Sequence, residues 1–304
     1  MKTLLIGYYG HGNLGDDALE RLSREWVLKC DPDGEVTASK LDFFSADRVA
    51  FGGGGLFQNV TSFRSLMWYC AWAYLAKLFG KPYGLLGQGI GPVSGRLSNL
   101  MLNKVLKYAD FVTVRDEVSY RRVKKVSDCV QGPDMTFFSD VHEGYDSEGL
   151  VGLNLRPFRF LEEEWMTTLQ DVSNIFLSFS PDDNEYSGKL NSIDMSPYFV
   201  EGEEMPQKLS GVISMRFHAC VWAALNGVPF LALVYDEKVK LLADMLGQLY
   251  VDLRDEKSRG GVKNSVKSFL SSVDYYHDIL IENRELVRDV SNVHLQELKE
   301  FYDA

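Results

Sequence analysis

Residues 211–239, GVISMRFHACVWAALNGVPFLALVYDEKV, decide the fold of this chain. The apolar run Gly211–Met215 predicts a buried strand, and the run Phe230–Val234, which follows Pro229, predicts another. Between them lie five apolar residues at helical spacing, which are Phe217, Cys220, Val221, Ala224 and Leu225. They predict a helix with one apolar face. A strand, a helix and a strand in this order form a β-α-β unit, which implies a parallel sheet.

Two basic residues, Arg216 and His218, lie where the first of these strands gives way to the helix. The N-terminus of a helix carries partial positive charge, so cations there are unfavourable unless an anion binds between them. Structural ion pairs also gather such residues. In that second interpretation Arg216 pairs with a buried carboxylate and His218 makes an internal hydrogen bond. The residues alone leave both interpretations open.

The composition predicts a soluble protein, or at most one bound at a membrane surface. The chain has 304 residues, enough for two domains, and a net charge of -11 that argues against nucleic acid as the partner. The start MKTLLIG is too short an apolar run for a signal peptide, and no stretch is long enough to span a membrane. Four scattered cysteines fit neither a disulfide framework nor a zinc site, which makes the reduced cytoplasm the expected compartment.

The alternation of short apolar runs with helical segments predicts α/β architecture in two halves. Strands are predicted at residues 4–7, 36–39, 48–51, 83–87, 111–114, 150–155, 175–179, 211–215 and 230–234. The acidic, glycine-containing stretch 139–149 lacks periodicity and predicts a linker. We therefore expect a first domain over residues 1–143 and a second over 150–304, whose C-terminal helix is free to pack back on the first.

A helix rich in aromatic residues is predicted over residues 63–79. It carries Trp68, Tyr69, Trp72 and Tyr74, which lie on nearly every side of the helix. A helix at a membrane interface usually shows a clear basic face. The pattern therefore favours a buried helix over one that dips into a membrane.

Ligands of open parallel sheets bind beyond the carboxyl ends of the strands, where the strand order reverses. If the second half has the common order, its first and fourth strands are neighbours, and Arg156 lies near Arg216 and His218. Two arginines and a histidine suit a small anion that carries phosphate and carboxylate groups. Arg156 could equally pair with one of the carboxylates of residues 162–164.

The first half contains the turn GYYGHGNLGDDAL at residues 7–19, which satisfies the G-x-G-x-x-G dinucleotide pattern. Two features argue against a dinucleotide. Tyr8 and Tyr9 separate the strand from the first glycine of the pattern, and Asp16 and Asp17 occupy the helix start, where a pyrophosphate would have to bind. Carboxylates repel phosphate but accept hydrogen bonds from sugar hydroxyls, so the turn suits a neutral polar acceptor.

Six motifs in this order resemble the polysaccharide pyruvyl transferase family. They are GYYGHGNLGD at residues 7–16, GGGGLFQ followed by Thr-Ser at 52–62, GQGIGP at 87–92, VRDEVS at 114–119, Arg156-Pro157, and the RFHA to YDEKV stretch at 216–239. The resemblance covers most of residues 4–239 and is closest to the bacterial cell-wall branch. The chain departs from the pattern at Phe217 and Glu237, and the first half lacks one strand-helix unit before Arg48.

The resemblance implies a GT-B-like fold in which two Rossmann-like, doubly wound α/β domains face each other across a cleft. It also implies a transferase that moves an enolpyruvyl group from phosphoenolpyruvate, a co-substrate rather than a bound cofactor, to two hydroxyls of a sugar. The products are a pyruvate ketal and phosphate. The expected acceptor is the N-acetylmannosamine of a lipid-linked precursor of a secondary cell-wall polymer. Peripheral contact at the inner face of the cell membrane would follow. The resemblance leaves the oligomeric state undecided.

The resemblance places the donor in the second domain and the acceptor in the first. His218 is the expected general acid, because a bound dianion favours its protonated form. The donor set is Arg156, Arg216, Phe217 and His218, with Arg216 and His218 catalytic. The acceptor set is Tyr9, Asn13, Asp16, Asp17, Gly54, Gln58 and Gln88. Asp16 or Asp17 would accept a hydroxyl proton, and no metal site is expected, because His11, His142, His277 and His294 lack ligand spacing.

Two other functions fit the same architecture. A nucleotide-sugar glycosyltransferase would also place basic residues after the strands of the second half. A non-catalytic protein that binds an anionic metabolite would need the arginines, but it would not need His218 as a proton donor. Thermal stabilisation by phosphoenolpyruvate or by a nucleotide sugar, together with phosphate release, distinguishes the three functions.

Overall fold

The computed structural model describes residues 1–60, 62–158, 163–290 and 293–304, without the side chains of residues 163 and 164. The chain divides into two compact units. Unit 1 comprises Met1–His11, Asp16–Phe138 and Arg288–Ala304, and unit 2 comprises Gly12–Gly15 and Ser139–Val287. No helix within the described ranges is long and apolar enough to cross a bilayer.

Unit 1 is a parallel sheet covered by helices. Its strands are Lys2–Ile6 (β1), Glu35–Thr37 (β2), Arg48–Phe51 (β3), Gly54–Phe57 (β4), Tyr83–Ile90 (β5), Phe111–Val114 (β6) and Val130–Gln131 (β7). They run in the order β2-β1-β3-β5-β6-β7, and β4 pairs with the end of β5. Its helices are Leu14–Cys30 (α1), Phe63–Leu78 (α2), Arg96–Tyr108 (α3) and Glu117–Val123 (α4), with short 3-10 helices at Lys40–Phe43 and Met135–Phe138.

Unit 2 is a second parallel sheet with the order β10-β9-β8-β11-β12-β13. Its strands are Tyr145–Asn154 (β8), Ile175–Ser178 (β9), Asn191–Asp194 (β10), Leu209–Ser214 (β11), Phe230–Val234 (β12) and Tyr250–Asp252 (β13). The helices that follow α4 are Glu163–Val172 (α5), Ser196–Phe199 (α6), Phe217–Leu225 (α7), Glu237–Met245 (α8), Glu256–Arg259 (α9), Val262–Leu270 (α10) and Val273–Asp289 (α11), with a 3-10 helix at Pro181–Tyr186.

The final helix, Val293–Asp303 (α12), returns the chain to unit 1. Its residues Leu298, Phe301 and Tyr302 are buried in a cluster with residues of β1 and α1. The hydroxyl of Tyr302 shares a hydrogen bond with Thr3, at the other end of the chain. The sequence pattern over residues 273–302 is typical of one helical tail, whereas the structure describes two helices there; residues 291 and 292 lie outside the described residues.

The sheet orders confirm the doubly wound architecture in both units. In unit 2 the first strand, β8, pairs with the fourth, β11, as predicted, so the strand order reverses between them. In unit 1 only the short β2 lies beyond β1, which agrees with the loss of one strand-helix unit before Arg48.

Two predictions need correction. The expected linker over 139–149 is too long, because β8 begins at Tyr145. The first half of β8 is largely exposed, and its pairing with β11 starts only at Leu150, so the apolar pattern that marks a buried strand is missing. The aromatic helix α2 is buried on one face only. Leu66, Tyr69 and Ala73 face the core, whereas Trp68 and other apolar residues are exposed.

Candidate functional site

The strand-order reversal in unit 2 is lined by a buried polar network at the carboxyl ends of β8 and β11. The amide of Asn154 donates to the carbonyl of Leu177 at 2.9 Å and to the carboxylate of Asp183 at 3.1 Å. The Oδ1 atom of Asn154 accepts the hydroxyl of Ser214 at 3.0 Å. The hydroxyl of Ser214 in turn accepts the backbone N–H of Arg216 at 3.0 Å. Because these groups satisfy one another, the backbone is fixed where the helix α7 begins.

Arg216 forms a bidentate ion pair with Asp183. Its Nε lies 2.7 Å from Oδ2, and its Nη2 lies 2.5 Å from Oδ1. The Asp183 side chain is fully buried, and that of Arg216 is 12% exposed. The structure thus confirms the interpretation in which Arg216 pairs with a buried carboxylate. The pair fixes the plane of the guanidinium and leaves Nη1 on the side away from Asp183.

His218 lies in the first turn of α7, against the glycine-rich turn. A Cβ atom built on Gly15 would lie 1.8 Å from Nδ1 of His218, so the imidazole occupies the space that a side chain at position 15 would need. The same segment is held to unit 2 by the N–H of Leu14, which donates to the carbonyl of Phe179 at 3.2 Å. The third glycine of the G-x-G-x-x-G pattern therefore makes room for the histidine ring.

The start of α7 has the features of an anion-binding helix end. Arg216 is the N-cap residue, and its side chain makes no capping hydrogen bond. The first turn contains no carboxylate. The partial positive charge of the helix end is therefore not offset by an acidic residue of the helix itself. Phe217, the half-buried residue between Arg216 and His218, packs edge-on against the His218 ring, with 5.1 Å between centroids.

Arg156 follows β8 and contacts Tyr235, which follows β12. Its Nη1 donates to the Tyr235 hydroxyl at 2.8 Å, and its guanidinium carbon lies 4.7 Å from the centre of the tyrosine ring. The alternative pairing with residues 162–164 falls on side chains outside the described residues. Since β11 separates β8 from β12 in the sheet, Arg156 reaches across the carboxyl end of the strand that leads to Arg216.

The predicted acceptor residues are divided between the two units. Asn13 belongs to unit 2 with the Gly12–Gly15 segment, and the other six belong to unit 1. Asp17 accepts the backbone N–H of Gly10 at 2.8 Å, so it stabilises the turn. Asp16 faces the glycine run, with its Oδ1 3.3 Å from a Cβ built on Gly54.

Three other members of the acceptor set have internal roles in the structure. Tyr9 folds back under the loop, with its hydroxyl buried beside Ser23 and Gly52, and burial raises the pKa of this phenol. Gln88 is fully buried and donates to the carbonyl of Gly52. Gln58 accepts the N–H of Val60 at 2.6 Å. Gln88 therefore holds the glycine run by a hydrogen bond, and the Tyr9 ring packs against it.

Arg115, which is not among the predicted site residues, lies beside the glycine run of unit 1. It follows β6 at the carboxyl edge of the unit 1 sheet and pairs with buried Asp134 at 2.6 Å. Its Nη2 lies 3.9 Å from a Cβ built on Gly55. The available signal was its position directly after a buried strand, in the VRD motif. Asp134, 19 residues later, gave no comparable signal.

The sequence model of the polysaccharide pyruvyl transferase family matches residues 13–237, about three quarters of the chain. The chain belongs to the polysaccharide pyruvyl transferase family. The matched range includes Arg156, Arg216 and His218 of this transferase, together with most of the predicted acceptor set. No curated protein matches it in sequence.

Several solved structures resemble the transferase along nearly its whole length. Anabaena Alr3699/HepE in complex with UDP-glucose is 11% identical with a TM-score of 0.58, over 100% of this chain and 99% of that one. The putative UDP-N-acetylglucosamine 2-epimerase from Listeria monocytogenes is 13% identical with a TM-score of 0.58, over 92% and 90%. Acinetobacter baumannii MurG is 13% identical with a TM-score of 0.53, over 99% and 98%. At such identities the similarity shows the fold alone, which is GT-B-like.

Within the described part of the chain, no three His, Cys, Asp or Glu side chains are grouped so that they could hold a metal ion. In unit 2, Arg156 follows β8, and Arg216 and His218 follow β11, at the carboxyl ends of two neighbouring strands. The groups brought together in unit 1 are a carboxylate, a buried ion pair and a glycine-rich backbone.

Proposed function

We propose that the transferase moves an enolpyruvyl group from phosphoenolpyruvate to two hydroxyls of a sugar, with His218 as the general acid. The observation that carries this proposal is the placement of His218, which is fixed against Gly15 in the first turn of α7, beside an arginine oriented by Asp183. A proton donor and a fixed cation at one helix end suit a substrate with a carboxylate and a departing phosphate.

The donor contacts follow from the charges present. Asp183 already neutralises Arg216, so the pair offers directed N–H donors rather than net charge. Arg156 supplies charge, because its contact within the described residues is the neutral Tyr235. Arg156 and the end of α7 would hold the phosphate, and Nη1 of Arg216 would hold the carboxylate.

The reaction proceeds in two additions. His218 gives a proton to the methylene carbon of phosphoenolpyruvate, and the central carbon becomes an oxocarbenium-like electrophile. A sugar hydroxyl adds there and loses its proton to a base. The phosphate then leaves with the bonding electron pair. A second hydroxyl adds to close the ketal and gives its proton to His218, which the first step left neutral. Asp16 or Asp17 would be the base of the first addition; Asp17 also accepts the N–H of Gly10. The acceptor would be the N-acetylmannosamine of a lipid-linked cell-wall precursor.

The test is phosphate release from phosphoenolpyruvate in the presence of a lipid-linked disaccharide that contains N-acetylmannosamine. Replacing the acid in His218→Gln should lower the rate about a hundredfold or more, with a smaller change in donor affinity. His142→Gln is the matched control, because His142 is half-exposed and bonds only to the carbonyl of Gly202 among the described residues. Near-normal turnover in His218→Gln would remove the assignment.

A further inference from the structure

The outward side of α2 is exposed and, apart from Arg64 at its start, apolar. Its residues recur at helical spacing opposite the buried face, and they are Arg64, Met67, Trp68, Ala71, Leu75 and Leu78. We call this set the outer face of α2. At 1.5 Å per residue this face, from residue 64 to residue 78, extends for about 21 Å along the helix. Trp68 is 54% exposed and Leu78 is 77% exposed, so this face is not part of the unit 1 core.

Two neighbouring elements extend this apolar surface. Phe44 is 74% exposed, and its ring lies 5.4 Å from that of Phe79, at the end of α2. The helix α3 lies beside α2, since the Tyr74 hydroxyl donates to the carbonyl of Met101 at 2.9 Å. It adds Leu97 and Leu100, which are 63% and 57% exposed. Exposed apolar patches of this extent mark interaction sites.

The charges around this surface differ from those of the rest of the chain. From Arg48 to Ala109 the sequence contains seven Lys and Arg residues and no Asp or Glu, although the whole chain has 32 basic and 43 acidic residues. Five of these basic residues are exposed on α2 and α3, and they are Arg64, Lys77, Arg96, Lys104 and Lys107. The nearby Asp42 is held by Lys2 and Thr37. A protein of net charge -11 thus presents basic residues around this exposed apolar surface.

We infer that the outer face of α2, with Phe44, Leu97 and Leu100, docks on the surface of a bilayer that contains anionic lipids. Aromatic and aliphatic side chains would enter the boundary between head groups and acyl chains, and the lysines and arginines would contact the head groups. An acidic protein surface would meet the same charges. The bilayer is favoured because the apolar residues lie along one helix face with tryptophan among them, the arrangement that in-plane helices use.

This inference goes beyond the proposed function and does not depend on it. The face belongs to unit 1 and includes none of the donor residues of unit 2. Vesicle binding can be measured without phosphoenolpyruvate or acceptor. Its failure would leave the His218 assay unaffected, and the loss of the His218 assignment would leave vesicle binding unaffected.

The experiment compares co-flotation of the full chain with vesicles of phosphatidylcholine alone and vesicles that also contain phosphatidylglycerol. We expect binding to the second only, with a marked loss when salt is raised from about 0.1 M to about 1 M and the Debye length falls from about 10 Å to about 3 Å. The pair Trp68→Ser and Leu78→Ser should weaken binding at least about tenfold. The control pair Tyr275→Ser and Leu286→Ser removes equally exposed apolar residues of α11 and should change little.

Charge reversal gives a second comparison. Lys77→Glu with Lys104→Glu should weaken binding at least about tenfold, because each basic residue near an anionic surface contributes severalfold. Lys189→Glu with Lys257→Glu changes net charge by the same amount at exposed positions of unit 2 and should have a smaller effect.

Brominated lipids test the contact without a loss of binding. Trp68→Phe keeps the apolar surface, so it should bind as the unmodified chain does but lose most of the quenching of tryptophan fluorescence. The buried Trp222, changed to Phe, should leave quenching intact. Absence of binding to anionic vesicles, binding that is insensitive to the Trp68 and Leu78 pair, or quenching that survives Trp68→Phe would each overturn the inference. A dimer that this pair abolishes, found without vesicle binding, would assign the face to a second copy instead.

Discussion

Alanine differs from glycine by one methyl group. At position 15 the His218 imidazole already occupies the space that this methyl group would need. The Cβ of an alanine there would lie 1.8 Å from Nδ1, closer than any non-bonded contact allows. The glycine is therefore required by packing rather than by backbone conformation, since its φ is not in the left-handed region. The third glycine of the G-x-G-x-x-G pattern is thus explained by the packing of the His218 ring and not by a bound dinucleotide.

Gly15→Ala should displace the imidazole and lower the rate of phosphate release as far as His218→Gln does, about a hundredfold or more. It should also destabilise the fold by about 1–3 kcal/mol through overpacking. Both effects should largely vanish when Gly15→Ala is made in a His218→Ala background, where no ring remains. Gly260→Ala is the control, because a Cβ there would lie 3.6 Å from its nearest neighbour. Full activity of Gly15→Ala would contradict this geometry.

Asp183→Asn should destabilise the protein by about 3–5 kcal/mol, because it leaves the guanidinium of Arg216 largely buried without a counter-charge. Urea unfolding followed by circular dichroism measures the effect. The exposed neighbour Asp182→Asn is the control and should stay within about 0.5 kcal/mol of the unmodified chain. Equal unfolding midpoints for the two variants would mean that the ion pair does not contribute to stability.

At the scale of single residues, the sequence predicted the positions of Arg156, Arg216 and His218, because each follows an apolar strand and strands are readable from their pattern. The partner of Arg216 could not be named. Asp183 lies 33 residues away in a stretch without periodicity, beside another aspartate that is exposed. Which of two adjacent carboxylates becomes buried depends on tertiary packing.

Among the elements, α12 carries a buried titratable group. His294 is fully buried, and its Nε2 lies 2.8 Å from the carbonyl of Pro133, to which it donates as the neutral tautomer. Its Nδ1 is buried and has no hydrogen-bond partner among the described residues. Burial lowers the pKa of His294 below its ordinary value of 6.5. Protonation of the folded protein would therefore add an unpaired charge beneath α12.

Because the pKa of His294 is lower in the folded state, the unfolded chain takes up a proton first as the pH falls. The free energy of unfolding is therefore unaffected by the titration of His294 above about pH 6.5. It decreases progressively as the pH falls below that value. The free energy of unfolding should therefore decrease as the pH falls from about 7.5 to about 5.5. Urea titrations of His294→Gln should show a smaller difference between these two pH values, whereas His142→Gln should keep it. An unchanged difference in His294→Gln would assign the pH dependence to other groups.

Predictions of whole elements succeeded where the apolar pattern was complete. Arg48–Phe51, Phe217–Leu225 and Phe230–Val234 lie where they were predicted, since most of their residues are apolar and buried. Asn191–Asp194 was missed because this edge strand is mostly polar and exposed. Gly54–Phe57 was missed because two of its four residues are glycines, which carry no pattern.

For the whole molecule, the choice between donors is a question of which ligand stabilises the fold. Phosphoenolpyruvate should raise the thermal midpoint, since saturation at about a hundredfold excess over Kd contributes about 2.7 kcal/mol. UDP-glucose, the ligand of the Anabaena structure, should not. The shift should be lost in Arg156→Ala and kept in the surface variant Lys257→Ala. Stabilisation by UDP-glucose but not by phosphoenolpyruvate would favour a nucleotide-sugar glycosyltransferase.

The return of α12 to the first sheet has a consequence for biosynthesis. Residues 288–304 leave the ribosome only after all of residues 139–287, yet they cover part of the core that residues 1–138 must form. During synthesis, unit 1 therefore has an uncovered apolar surface until residues 288–304 emerge. All of unit 2 has been synthesised by then, so its core can form first. We therefore expect unit 2 to complete its core before unit 1 does, the reverse of the usual order of co-translational folding, in which the first domain made is the first completed.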